Sequence, residues 1–313
     1  MRAYKKYVNV LVFILILFAA FRLNHNPFMD GAAPVLNPGN DKLYTEIEQK
    51  AANEEYKEAP QNAYIDRVYK KTPGRNGRDI NVEKSYEKMK EAGVFQEDLL
   101  IFDEVRPKVN LSDLEPAPIY RGHPEKQMVS FMINVSWGNE HIPAILNTLQ
   151  EHQVKANFFI EGKWARENPE IVKMIMEKGH LIGNHAYNHP DMARLNTQEI
   201  ETQIKQTNEI LTAITGETPN YFTPPSGSFT DEVIEVASAQ GMETVLWTTD
   251  TVDWKKPSVS VMINRVNEKV HPGAIILMHP TPVIEEGLDE LIMLLKNKDF
   301  RLGRLDTLLS TER

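Results

Sequence analysis

Phe131-Met132-Ile133-Asn134-Val135-Ser136-Trp137-Gly138-Asn139-Glu140 spells FMINVSWGNE. An apolar run stops at a polar residue and passes into Ser-Trp-Gly, the place where many hydrolases carry one or two aspartates. The stretch reads as an active-site strand end whose acid has been replaced, by an amide at Asn134 and an aliphatic side chain at Val135.

Outward from it the pattern alternates between strand and helix candidates, as in a parallel α/β fold. Strands are expected over 128–135, 156–160, 181–183, 221–223, 243–247 and 274–278, with helices near 142–151, 169–178, 197–215, 231–239, 259–270 and 285–296. Polar clusters follow the strand C-terminal ends, where α/β barrels assemble active sites.

Upstream, the Pro-rich segment 115–126 reads as a linker, preceded at 41–114 by a small α/β module. The module combines a charged helix-prone start, the turn Pro73-Gly74-Arg75-Asn76-Gly77, a strand candidate at 79–82, a helix over 83–92 closed by Gly93 and an apolar run at 99–102. It carries no acid–base or metal cluster in sequence and reads as a spacer or binding module. Residues 23–40, rich in Pro, Gly and Asn, read as a further linker.

Residues 1–22 place Arg2, Lys5 and Lys6 ahead of an apolar run from Val8 to Phe21. Its 14 residues span only about 21 Å as a helix, short of the ~30 Å hydrocarbon core, which suits a signal h-region. No Ala-x-Ala cleavage site follows, which suits an N-terminal membrane anchor. Either reading puts the body of the protein outside the cytoplasmic membrane.

At 313 residues the chain is long enough for one large α/β domain and an appendage. Its net charge of -9 argues against nucleic acid as a partner, and the absence of cysteine excludes disulfide and thiolate chemistry.

The segment Gly183-Asn184-His185-Ala186-Tyr187-Asn188-His189-Pro190-Asp191 sets two histidines four apart. On a helical turn they would face the same way, and neutral imidazole is a common ligand for transition metals. The preceding Lys178-Gly179-His180-Leu181-Ile182 reads as a helix end, a Gly cap and a short strand that delivers His185 to the strand's exit.

With these residues the segment 127–313 resembles the NodB-homology domain of polysaccharide deacetylases, carbohydrate esterase family 4, of the membrane-anchored type of spore-forming Gram-positive bacteria and with a degenerate first motif. Five motifs carry the resemblance in order: 133–138, His185 to Pro190, Thr223-Pro224-Pro225-Ser226-Gly227, Asp250-Thr251-Val252-Asp253-Trp254 and Leu277-Met278-His279.

The resemblance implies a distorted (β/α) barrel and a divalent metal, zinc or cobalt, held by His185, His189 and a carboxylate. Here Val135 stands at the third ligand position and Asn134 at the general-base position. It further implies His279 as general acid, Asp253 orienting it, the Ser226 backbone N–H as oxyanion donor, and a substrate groove formed by Pro224, Pro225, Trp254 and Leu277. Thr223 stands where the family has arginine.

An amide has no titratable oxygen near neutral pH, so Asn134 can position a water but not take its proton. Removing a general base costs ~10²–10⁴ in rate. Glu140 and Asp191 are the nearby carboxylates that would replace the lost ligand.

The sequence thus leaves three readings open: a barrel that binds N-acetylated cell-wall polysaccharide, peptidoglycan or chitin-like, with hydrolysis impaired; a slow metal-dependent N-deacetylase; or a membrane-tethered structural protein whose N-terminal module binds the partner.

Overall fold

The computed structural model describes residues 41–313. The sequence readings for 1–22 and 23–40 lie outside the described residues. Among the described residues, no helix is long and apolar enough to cross a membrane.

The chain forms two compact units. The smaller comprises residues 41–53 and 80–101 and is built on helices α1 (Lys42–Ala52) and α2 (Val82–Met89). Asp41 caps α1 by accepting the Leu43 N–H, and Asn81 caps α2 by accepting the Lys84 N–H. Leu43, Ile47 and Met89 are buried, and Tyr44 meets Tyr86 edge-on at 5.5 Å.

The larger unit comprises 54–79 and 102–313. Residues 54–79 and 102–114, which the sequence grouped into a module of 41–114, share this unit with the barrel. Their backbone is tied into it: Lys71 N–H donates to Pro118 O at 3.1 Å, Asn76 N–H to Thr311 O at 2.7 Å, and Lys71 Nζ pairs with Glu243 at 2.7 Å. Strands β1 (Tyr64–Asp66) and β2 (Lys70–Thr72) form one antiparallel ribbon, and β3 (Gly77–Ile80) pairs with β4 (Phe102–Val105) in another.

The main sheet contains β5 (Met128–Val135), β6 (Asn157–Ile160), β7 (Leu181–Asn184), β8 (Tyr221–Phe222), β9 (Glu243–Thr244), β10 (Thr249–Asp250), β11 (Ile275–Met278) and β12 (Arg301–Leu302). Its order is β10-β11-β5-β6-β7-β8-β9, with β12 also paired to β5, and these pairings are parallel. Residues 119–122 bridge the ends of the curl: Leu246 N–H donates to Ile119 O, and Gly122 N–H to Gly273 O.

Around the sheet lie α3 (Ile142–Glu151), α4 (Gly162–Glu167), α5 (Pro169–Glu177), α6 (Thr197–Thr215), α7 (Asp231–Ala239), α8 (Val259–Lys269), α9 (Pro282–Asn297) and α10 (Leu305–Leu309). The ends of α6 follow from its sequence. Asn196 and Glu199 form a reciprocal capping box, and Gly216 ends the helix at φ 81.

Strand β5 is buried along its whole length, and its two faces part the core. Val129, Phe131, Ile133 and Val135 join the apolar layer under the helices, whereas Met128 and Met132 join the layer inside the barrel with Phe159, Ile275 and Leu277. At the barrel floor Asn157 replaces apolar packing with hydrogen bonds. It is fully buried, donates to Ser130 Oγ and Phe131 O, each at 2.7 Å, and accepts the Leu305 N–H at 2.7 Å.

His180 is another buried polar group on this unit, 5 % exposed, its Nδ1 accepting the Ala156 N–H at 3.1 Å. Burial, and then the nearby Lys155, Lys178 and Arg304, push its pKa down to about 4.

Two stability predictions result. Asn157→Ala strands the Leu305 N–H and the partners of the amide, and is expected to lower the unfolding free energy by about 2–4 kcal/mol in urea denaturation. The unfolded chain protonates His180 before the folded one does, so this contribution is complete above about pH 6.5 and is lost as pH falls toward 4, at up to about 1.4 kcal/mol per pH unit. His180→Asn, which keeps an acceptor for Ala156, should flatten the pH dependence of the urea midpoint over that interval. An unchanged slope would assign the acid loss elsewhere.

Candidate active site

The strand order places the C-terminal ends of β10, β11, β5, β6, β7 and β8 side by side, carrying Asp250, His279, Asn134, Glu161, His185 and Thr223 in that sequence around one rim. A cavity of about 360 Å³ opens there, a size typical of small-molecule sites. It is lined by Asn134, Ser136, Trp137, His185, His189, Ser226, Trp247, Asp250, Trp254, Leu277 and His279.

The two histidines do not sit on a helical turn. Residues 185–189 form a loop in which Ala186 and His189 take positive φ values of 61° and 56°. Asn184 Oδ1 accepts the Ala186 N–H, and Gln203 Oε1 accepts the N–H groups of Tyr187 and Asn188. These bonds bring the rings of His185 and His189 to 5.2 Å, nearly edge-to-face. His185 Nδ1–H donates to Thr223 O at 2.8 Å, so its Nε2 carries the lone pair. Complete burial, followed by the nearby His189, pushes the His185 pKa down to about 3 and keeps the ring neutral at physiological pH.

His279 is held from the other side. Asp253, fully buried, accepts from Thr251 Oγ1 at 2.9 Å, Thr281 Oγ1 at 2.9 Å, the His279 N–H at 3.0 Å and His279 Nδ1–H at 3.1 Å. This orients the ring with Nδ1 on Asp253 and Nε2 turned away from it. The approach to Asp253 is strained: Val252, a β-branched residue, sits at φ 53°, its N–H bound by Asp250 Oδ1 at 2.7 Å.

Trp137 stacks on His279 at 6.1 Å with planes 8° apart. The turn behind it needs glycine, since Gly138 has φ 83° and a Cβ there would lie 2.1 Å from Pro280 O. Trp254 is 52 % exposed and Trp137 46 %, leaving two indoles open at the cavity mouth. Ser226 adopts φ 55°, ψ 16° in the turn Pro225–Gly227. Leu277 lines the cavity; Pro224 precedes the turn and Pro225 is buried in it, and neither prolyl ring is part of the lining.

Asn134 is 4 % exposed and lines the cavity, and its Oδ1 has no hydrogen-bond partner among the described residues. Val135 points the other way, into the apolar layer under the helices, with no exposed surface. Thr223 is sealed as well, its hydroxyl donating to Val245 O at 2.8 Å, so nothing cationic enters from the position of the family's arginine.

A three-ligand metal centre does not fit this donor set. Two imidazoles face the cavity, and among the described residues no group of three His, Cys, Asp or Glu side chains is placed to hold an ion. The carboxylates considered as replacements are engaged elsewhere. Asp191 binds Arg194 Nε at 3.0 Å and the Ser228 hydroxyl, and Glu140 is an exposed side chain beside His141.

Sequence reasoning passed over Trp137, Trp247 and Glu161. Glu161 is 9 % exposed, its carboxylate bonded to Ser136 and close to His189, and burial raises its pKa against both. A signal for it was present: an acid directly after the apolar run Asn157–Ile160, at the same rim as Asn134.

Comparisons with known proteins agree with this geometry. A family model described as polysaccharide deacetylase matches residues 121–245. The chain is 47% identical to the uncharacterized protein YlxY of Bacillus subtilis, over 99% of both chains. It is 39% identical to a peptidoglycan-N-acetylglucosamine deacetylase of Bacillus cereus, over 56% of this chain and 65% of that one. Among solved structures, BA3943, a CE4 family pseudoenzyme from Bacillus anthracis, superposes with a TM-score of 0.82 at 49% identity, covering 87% of this chain and 96% of that one. A BA3943 mutant described as having restored enzymatic activity gives the same TM-score of 0.82 at 48% identity, over 87% and 99% of the two chains. Barrel topology, rim residues and these likenesses converge: the chain belongs to the polysaccharide deacetylase family, carbohydrate esterase family 4.

Proposed function

We propose that this protein binds N-acetylated cell-wall glycan, of the peptidoglycan or chitin-like class, in the deacetylase groove and has lost most or all of its hydrolytic activity. The observation that carries the reading is Asn134. At the rim position where the family holds its base, the only side chain aimed into the cavity from β5 is an amide. It cannot accept the proton of an attacking water near neutral pH.

The remaining parts divide in a consistent way. His279 with Asp253 keeps the arrangement of a general acid and its orienting carboxylate, and the Ser226 turn keeps a backbone donor suited to an oxyanion. A zinc or cobalt ion bound by His185 and His189 would polarise a carbonyl, but two uncharged ligands make a weak site. Trp254 and Trp137 offer the flat apolar faces on which sugar rings stack. The B. cereus relative's name, and the pseudoenzyme description of BA3943, support both halves of the proposal. Work on such a glycan takes place outside the cytoplasmic membrane, which suits residues 1–22 as a secretory signal or anchor; zinc or cobalt, if used, would enter there.

The test is acetate release. The full-length chain, incubated with tetra-N-acetylchitotetraose or peptidoglycan and added zinc or cobalt, should turn over at least ~10²-fold more slowly than an intact deacetylase. Turnover near that of intact relatives, abolished by a chelator, would overturn the impairment. Asn134→Asp alone should recover little, because the carboxylate missing from the metal side is not restored with the base. Trp254→Ala should weaken oligosaccharide binding about tenfold, a loss of roughly 1.4 kcal/mol, measured by calorimetry.

A further inference from the structure

Of the eight large hydrophobic side chains left exposed among the described residues, three fall within residues 64–68: Tyr64 at 40 %, Ile65 at 48 % and Val68 at 68 %, the highest of the eight. Two of the others are the cavity indoles Trp137 and Trp254, and the remaining three stand singly. Single exposed apolar side chains are ordinary, whereas a cluster marks a contact surface. This one sits at the end of the β1–β2 ribbon, with Tyr64 and Ile65 in β1 and Val68 in the turn that leads to β2. Neighbours along a strand point to opposite faces. With Tyr64 and Ile65 both exposed, the ribbon is uncovered on each side there.

The turn is held in place from within. Asp66 Oδ1 accepts the N–H groups of Val68 and Tyr69, each at 2.7 Å. The Arg121 guanidinium lies 3.9 Å from the centroid of the Tyr69 ring, and Lys71 ties β2 to the barrel through Pro118 O and Glu243. Val68 is therefore presented on backbone that is already ordered, which lowers the entropy cost of contact. Arg67 and Lys70, both exposed, stand on either side of it. From 64 to 71 the one acid is Asp66, half-buried and committed to the turn, against the cations Arg67, Lys70 and Lys71, of which Lys71 is buried on Glu243. On a chain with a net charge of -9, this end is locally cationic.

Aliphatic side chains beside a tyrosine and two cations match the layers of an anionic bilayer surface. The aliphatics enter the acyl boundary, tyrosine sits at headgroup level, and Lys or Arg meets the lipid phosphates. A stable protein partner needs ~1,000 Å² or more of complementary surface, which a turn of this size does not supply, whereas a bilayer deforms around it. We propose that the turn at 64–70 is a membrane-contact element that docks on an anionic lipid surface, with Ile65 and Val68 inserted and Arg67 and Lys70 on headgroup phosphates. Neither residues 1–22 nor the ligand of the cavity enters this assignment.

The chain has no cysteine, so Val68→Cys in the full-length protein carries a single environment-sensitive fluorophore. Val261→Cys, at an exposed position of α8, is the control. Mixed phosphatidylglycerol–phosphatidylcholine vesicles are titrated into each. Emission from position 68 is expected to rise severalfold and move to shorter wavelength, while emission from position 261 stays unchanged. With Arg67→Glu and Lys70→Glu added, half-maximal signal at 68 should need about tenfold more lipid. Polyphosphate, a polyanion with no apolar phase, should leave the emission unshifted.

No change at 68, or an equal change at 261, overturns the proposal, the second by showing adsorption of the whole surface. A shift that grows with protein concentration without vesicles assigns the turn to contact between copies of the chain, and one produced by polyphosphate alone assigns it to charge; each also overturns the proposal. An undiminished response in the charge-reversed protein, or an equal one with phosphatidylcholine alone, overturns the choice of anionic lipid.

Discussion

The pleat of β5 is the constraint from which the rest of the site follows. Side chains along a strand alternate between faces, and on this strand one face belongs to the helix layer and the other to the barrel interior. Residue 134 is the inward position at the open end, and residue 135 is its outward neighbour. The two changes at the degenerate motif therefore differ in kind. Asn134 alters the chemistry of the cavity, while Val135 extends the apolar core by one more side chain. Neighbouring strands are parallel and in register with β5, so its pleat also dictates which of their end residues meet Asn134.

The electrostatics of the rim follow from how its polar groups are held. His185 and His279 are each oriented by an oxygen that takes the Nδ1 proton on the ring's far side, a backbone carbonyl in one case and a buried carboxylate in the other. In both, Nδ1 is the engaged nitrogen and Nε2 the outward one, beside an amide oxygen and Asp250.

Much of the fold was legible in sequence. The bounds of β5, α3 and α6 agree with the apolar patterning of 128–135, 142–151 and 197–215, because each is long and α6 is closed by residues with local capping chemistry. The two-residue strands β8, β9 and β10 were expected to be longer or were missed, since pairing partners distant in sequence determine where they stop. The grouping of 54–79 with the barrel was hidden for the same reason: bonds such as Asn76 N–H to Thr311 O join residues far apart in the chain. In the site, motif order placed Asn134, His185, His189, Ser226, Trp254 and His279 at one cavity. Trp137 lies within the first motif but had no role assigned to it, Trp247 and Glu161 belong to no motif and enter through rim adjacency, and the neighbour rule for residue 135 needed the pleat to be read as well as the motif.

Asp253 carries a consequence for how such proteins age. Its carboxylate is mortar for three segments at once, the loop at 251, the backbone at 279 and the cap of the helix that starts after Thr281. A lineage that abandons hydrolysis can exchange the residue at 134 without loosening any of them, but it cannot surrender Asp253 so freely. Substitution around such a rim should therefore be uneven, free at a side chain like Asn134 whose Oδ1 has no partner among the described residues and resisted at Asp253, where one carboxylate joins three segments.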